Sequence, residues 1–356
     1  MDSAPHTVDS VPHVSARPSG LRASWRRTAM QAAGPLLGAV LLVVSGWGTD
    51  WHTLGETFRQ AHPLWIVLTV ASVLLTIFLK AERWRVLCGS PPIGRGPFLN
   101  GIAIGQFANA LFPGRAGDLA RWAVLGRQPS PGYVGALGSV IAEKALDMLM
   151  LVALMAVVLP LSPHLGGVDS RRAAVAAGGG GLVMLIGLLA LRQARLRGWL
   201  TGLLGRVLRR WNAAWPARVQ EGLRRLADAS PVHWLPWLQS LLIWLAAAGT
   251  NMLAFRALDM ALPWTAAVLL LVALHAGRLV NITPGQVGIF HSITVWVLDA
   301  YGVPRQTAFA YSLLLHLSVT LPPILWGVWA LRHESLHWGE LLVHTLQRNA
   351  NRGDEA

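Results

Sequence analysis

Lysine is nearly missing from this 356-residue chain: 28 of its 30 basic residues are arginine, leaving Lys80 and Lys144. A phosphate-binding P-loop ends in Gly-Lys-Ser/Thr. Lys80 follows Leu79 and Lys144 follows Glu143, so the chain is not itself a P-loop ATPase. Cysteine is scarcer still, and the single Cys88 excludes an intramolecular disulfide and any multi-cysteine zinc or iron–sulfur site. Charge of either sign is low, at 13% of residues, where a water-facing surface normally demands about 25%. With 53% hydrophobic residues, the composition rules out an ordinary soluble domain and indicates an integral membrane protein. The net charge of +13 belongs in cytoplasmic loops beside anionic lipid, so nucleic acid is not an expected partner.

Long apolar runs make the fold an all-α membrane protein. Six of them are long enough to cross, at about 28–47, 64–82, 132–160, 173–191, 235–257 and 306–331. Residues 1–27 form a polar tail rich in Ser, Pro and His, expected to be disordered, and 332–356 a second tail. The membrane domain is therefore 28–331. Arginine sets the orientation, with Arg17, Arg22, Arg26 and Arg27 before the first span against Arg59 alone in the loop after it. The expected protein is multi-pass in the cell (inner or plasma) membrane with both termini cytoplasmic. Arg171 and Arg172, placed outside, run against this rule. The linker 192–234 carries nine arginines between Leu, Val and Trp at near-helical spacing, as a helix lying on the inner leaflet would. A solvated cytoplasmic loop is the alternative.

Two segments, 97–127 and 264–302, are apolar but broken midway by Pro-Gly. Asn109 precedes Pro113-Gly114-Arg115-Ala116-Gly117, and Asn281 precedes Pro284-Gly285-Gln286-Val287-Gly288, with an offset of 171 residues between the prolines. In the arginine-based topology one copy enters from the cytoplasm and the other from outside, giving two re-entrant hairpins in an inverted repeat. Backbone freed by Pro and Gly inside a membrane survives only against protein or a wet cavity, and transporters place substrate at such breaks. The half-helix after each break offers N–H groups to an anion. A kinked continuous helix is the simpler alternative.

Charge inside the apolar segments marks the candidate site. Arg115, Asp118 and Arg121 stand at i, i+3 and i+6 after the first break, where Asp118 is placed to pair with either arginine. A salt bridge at the membrane edge is the bland alternative. Glu143, Lys144 and Asp147 lie roughly 15–21 Å along a helix starting near Tyr133, close to mid-membrane. Glu143 and Asp147 share a face, and Lys144 is spaced to pair with Asp147. Ionisable groups at that depth are costly and read as functional, although a structural ion pair would also explain them. His291 and His316 are candidate proton carriers near the second repeat, against the plainer role of hydrogen-bonded packing. His275, Arg278 and Asp299 fall nearby. His333-Glu334-Ser-Leu-His337 matches the zinc motif His-Glu-x-x-His. It lies after the last span without a following Gly-x-x-His, so neither metal, cofactor nor enzymatic activity is expected.

Arg83-Trp84-Arg85 closing the second span, Asn109 with Pro113-Gly114-Arg115-Ala-Gly117-Asp118-Leu-Ala-Arg121, Glu143-Lys144-Ala-Leu-Asp147 and Pro284-Gly285-Gln286-Val-Gly288 together resemble the lysylphosphatidylglycerol synthase transmembrane-region family, the flippase-like domain proteins. The resemblance spans roughly 30–331. It implies movement between leaflets of an anionic or aminoacylated phospholipid or an isoprenoid-linked glycan. The alternative it implies is a non-transporting membrane partner of a lipid- or glycan-modifying enzyme. The synthase domain of larger relatives is not expected here. Departures from the family pattern are Asp118 for a glutamate, Lys144 for an arginine, Gln286 for a glycine, His291 for a glutamate and His316 for an arginine. The expected head-group site comprises Asn109, Pro113, Gly114, Arg115, Gly117, Asp118, Arg121, Glu143, Lys144, Asp147, Pro284, Gly285, Gly288, His291 and His316, with Arg115 and Arg121 on the phosphate.

Overall fold

The computed structural model describes residues 34–112, 116–162, 234–280 and 283–333, with helical fragments at Arg172, Val175 and 178–182. All regular structure among them is helical. The helices are α1 Gly34–Ser45, α2 Trp51–Gln60, α3 Pro63–Leu87, α4 Gly96–Leu111, α5 Ala116–Gly126, α6 Gly132–Val158, α7 Trp234–Ala257, α8 Trp264–Gly277, α9 Ile289–Asp299 and α10 Arg305–His333. The expected tails, the basic linker and most of the 173–191 span lie outside the described residues, as do Pro113, Gly114, Arg115 and the histidine motif beyond His333.

Helices α3, α7 and α10 are long and apolar enough to cross a membrane. Their outer faces carry exposed Leu64, Val67, Leu245 and Leu325, the kind of apolar surface that a bilayer covers. Helix α6 has 27 residues, about 40 Å at 1.5 Å per residue, but carries Glu143, Lys144 and Asp147 along its length.

The 171-residue offset between the Pro-Gly motifs also relates the helices around them. Shifting α3 by 171 residues lands on 234–258, and α7 occupies Trp234–Ala257. The same shift carries α4, α5 and α6 to 267–282, 287–297 and 303–329, close to α8, α9 and α10. Packing follows the offset: α4 lies on α10 as α8 lies on α6, and α5 lies on α6 as α9 lies on α10. The symmetry-related pair α3 and α7 packs directly. The His62 N–H donates to the Ala257 carbonyl at 2.9 Å, Ser72 meets Thr250 at 2.9 Å, and Arg83 meets Ser240 at 2.9 Å. Residue numbers rise on one helix as they fall on the other, so α3 and α7 run antiparallel.

Trp84 holds the first copy together. It is fully buried, donates from Nε1 to Ser139 Oγ of α6 at 2.9 Å, and packs edge-on against Phe98 of α4 at 5.4 Å between ring centroids. Its face carries the Arg121 guanidinium of α5 at 4.3 Å, a cation–π contact. Four helices are thereby fixed around one ring.

Candidate functional site

Each break is built on a close backbone approach. Asn109, in the last turn of α4, accepts from the Gly117 N–H at 2.8 Å, satisfying a free donor at the start of α5. A Cβ on Gly117 would strike the Gly105 carbonyl oxygen. In the second break Gly285, Gln286 and Gly288 have φ of 59°, 60° and 83°, left-handed backbone that favours glycine. Gly288 lies on the Gly38 carbonyl of α1, and Ser45 of α1 meets Ser292 of α9 at 2.8 Å. His316 of α10 donates from Nε2 to the Gly285 carbonyl at 3.0 Å. The Gly285 turn also packs beside Ala110, so the second break meets the C-terminal end of α4.

Between the breaks lies a cavity of about 230 Å³, with an adjoining one of about 110 Å³. The first is lined by Asn109, Asp118, Arg121, Glu143, Lys144, Asp147, Gly285 and His316 from the expected set. Gly117, Pro284, Gly288 and His291 do not line it. They shape the breaks or stand behind them: His291 is buried with its ring 4.9 Å from that of His316, and its Nδ1 has no partner among the described residues.

The ion pairs correct the sequence-based pairing. Asp118 pairs with Lys144 of α6, at 2.9 Å; of the two arginines its spacing offers, Arg121 pairs with Glu143 instead and Arg115 lies outside the described residues. Asp147 pairs with Arg83 of α3 at 2.7 Å, not with Lys144. Arg121 forms a two-pronged bond to Glu143, at 3.0 Å and 2.6 Å, and Arg83 approaches the same carboxylate at 3.8 Å. The reason is burial: Arg83 is 0% and Arg121 7% exposed, and such a charge must take a carboxylate from a facing helix. Pairs along one helix surface are worth far less.

Two cavity-lining cations were not among the expected site residues. Lys80 of α3 and Arg278, just past α8, line both cavities. Among the described residues Lys80 makes no hydrogen bond or ion pair, and Arg278 bonds only to the Gln286 side-chain oxygen, at 3.3 Å. The three carboxylates lining the cavity are taken by Arg83, Arg121 and Lys144. In the sequence Lys80 stands with Arg83 and Arg85 in the basic cluster that closes its span, and proximity to them masks it. Its position directly after the apolar run 64–79 was the usable signal. Arg278 lies six residues before Pro284, inside an apolar run, and offered the same signal.

Residues 31–327 match the family described as the lysylphosphatidylglycerol synthase TM region. The chain is 27% identical to glycosyltransferase AglD of Haloferax volcanii over 332 residues, covering 83% of this chain and 53% of that protein. It is 21% identical to the UPF0104 membrane protein PH1989 of Pyrococcus horikoshii over 328 residues, covering 85% of this chain and 96% of that protein. The chain thus spans about half the length of the first relative and nearly all of the second. No solved structure gives a significant match. The membrane-embedded helices, the two glycine-built breaks and the matched length agree: the chain belongs to the lysylphosphatidylglycerol synthase transmembrane-region family.

Proposed function

We propose that this protein moves a lipid with an anionic head group between leaflets, the head group passing through the cavity between the two breaks while the tails stay in the bilayer. The observation that carries this reading is the pair Lys80 and Arg278, cations facing a cavity whose carboxylates are already paired. An anion is the natural counter-charge in such a place. The phosphate-holding role goes to these two rather than to Arg121, whose fork is filled by Glu143. Six crossings, with both termini in the cytoplasm of a cell-membrane protein, complete the proposal. Helices α4, α5, α8 and α9 have 16, 11, 14 and 11 residues, about 24, 17, 21 and 17 Å, short of a hydrocarbon core of about 30 Å. That supports re-entrant hairpins, and the antiparallel α3 and α7 support an inverted repeat.

A leaflet-resolved transport assay in proteoliposomes tests the reading. Lys80→Gln and Arg278→Gln are each expected to slow movement of an anionic lipid about tenfold or more, the worth of one charge-assisted bond. Undiminished transport in both variants overturns the assignment.

A second reading rests on the relative named a glycosyltransferase, of which this chain matches about half. There the protein is a non-transporting partner of a lipid- or glycan-modifying enzyme. A stably co-purifying enzyme together with no lipid movement in vesicles would favour it.

A further inference from the structure

The charge balance of the cavity points to a particular class of anion. Among the described residues, Lys80, Arg83, Arg121, Lys144 and Arg278 stand in or directly behind the cavity wall, against Asp118, Glu143 and Asp147. Three cations are matched one to one by three carboxylates. Among the described residues two positive charges are left without an ion-pair partner. They come from opposite copies of the repeat, Lys80 from α3 and Arg278 from the end of α8, so a single ligand between them would join the two halves. The cavity of about 230 Å³ holds about eight water volumes, enough for a phosphate and a short polar linker.

Resting on the anionic-lipid reading, we propose that this cavity selects a phosphomonoester dianion over a phosphodiester monoanion and over a head group carrying an amino-acyl cation. A terminal phosphate carries a charge of about −1.5 to −2 at neutral pH and neutralises both free cations. A phosphodiester leaves one of them bare. A lysyl ester of phosphatidylglycerol, with net positive charge, adds to the excess, and uncompensated charge is costly away from water. The arginine fork of Arg278 gives two parallel donors to phosphate oxygens, and the Lys80 ammonium gives a point charge. The same chemistry is offered by a lipid, such as phosphatidic acid, and by free phosphate.

The test is ligand binding to the full-length protein in neutral detergent, read by native mass spectrometry and thermal shift. Probes are phosphatidic acid, phosphatidylglycerol, lysyl-phosphatidylglycerol and inorganic phosphate. Phosphatidic acid is expected to bind about ten- to a hundredfold tighter than phosphatidylglycerol, with the lysyl ester weakest. Lys80→Gln and Arg278→Gln should each cut that preference at least about tenfold, while Arg278→Lys, which keeps the charge but loses the fork, weakens binding of both phospholipids and leaves their ranking unchanged. If a glutamine variant does not fold, the ranking of the probes on the unaltered protein and on Arg278→Lys still decides. Millimolar phosphate that displaces the lipid would identify free phosphate as a sufficient ligand; lipid that stays bound would identify the lipid as the source. Equal affinity for the two phospholipids, or tightest binding of the lysyl ester, overturns the proposal. Dianion preference without lipid movement would sink only the transport reading, and movement without preference would sink only this one.

Discussion

Glu143→Gln is expected to destabilise the protein by about 3–5 kcal/mol, the usual cost of removing one member of a buried ion pair. Glu143 is 3% exposed and takes both prongs of the Arg121 guanidinium while Arg83 stands 3.8 Å away. A neutral amide keeps the shape but supplies one acceptor oxygen and no charge, leaving Arg121 with its contact on the Trp84 ring. That contact is worth about 2 kcal/mol when desolvated, too little to replace the carboxylate. Asp147→Asn should cost less, about 1–2 kcal/mol, because its side chain is 31% exposed and Arg83 keeps Ser240. Unfolding in mild detergent, followed by thermal melting of the purified variants, measures both. A Glu143→Gln protein that melts with the parent would mean that Arg121 finds its counter-charge elsewhere. Removing both partners in Glu143→Gln/Arg121→Gln should recover part of the loss, since no bare charge is then left behind.

The same arithmetic separates two kinds of cation in one small volume. Arg83, Arg121 and Lys144 spend their charge on carboxylates and tie α3, α5 and α6 together. Lys80 and Arg278 face the cavity with no carboxylate partner among the described residues. Substitutions in the first group should lower stability before they alter ligand preference, and those in the second should do the reverse.

Much of this architecture was legible in the residues. Apolar length gave α3, α6, α7 and α10 almost to their ends, and for α3, α7 and α10 that length is what a membrane crossing requires. Pro113-Gly114 and Pro284-Gly285 marked the breaks, since neither residue continues a helix comfortably. The pairing of charges was not legible. Spacing along one helix suggests Asp118 with Arg115 or Arg121 and Lys144 with Asp147, but among the described residues the partners used come from facing helices. Partner choice is decided by which helices pack, and sequence spacing carries no record of that. Lys80 was hidden for a related reason: beside Arg83 and Arg85 it looks like cytoplasmic surface charge, whereas in the fold it lines the cavity. The full extent of the repeat was hidden too, because the shift of 171 residues aligns Lys80 with Asn251 and Glu143 with Leu314.

Gly117→Ala and Gly288→Ala should each cost about 2–4 kcal/mol and slow transport, and they test the breaks rather than the charges. The two glycines are related by the 171-residue shift. Each lets one backbone rest on another: Gly117 on the Gly105 carbonyl of α4, Gly288 on the Gly38 carbonyl of α1. A Cβ at either place meets backbone, which cannot rotate aside as a flexible side chain does, so the two segments must separate. At Gly117 the Asn109 amide is also displaced, and with it the bond from Asn109 to the Gly117 N–H. At Gly288 there is a second penalty, because φ of 83° strains any residue with a side chain by about 1–2 kcal/mol. Gly249→Ala is the control. A Cβ there meets nothing within 4 Å in α7, and alanine in a helix interior should be neutral or stabilising by up to about 1 kcal/mol. Melting temperature and lipid movement are measured on all three variants in the same detergent and vesicles. If Gly117→Ala and Gly288→Ala behave like the control, the close backbone contacts do not hold the breaks. If both lose stability while Lys80→Gln and Arg278→Gln do not, the glycines shape the cavity and the cations read what enters it.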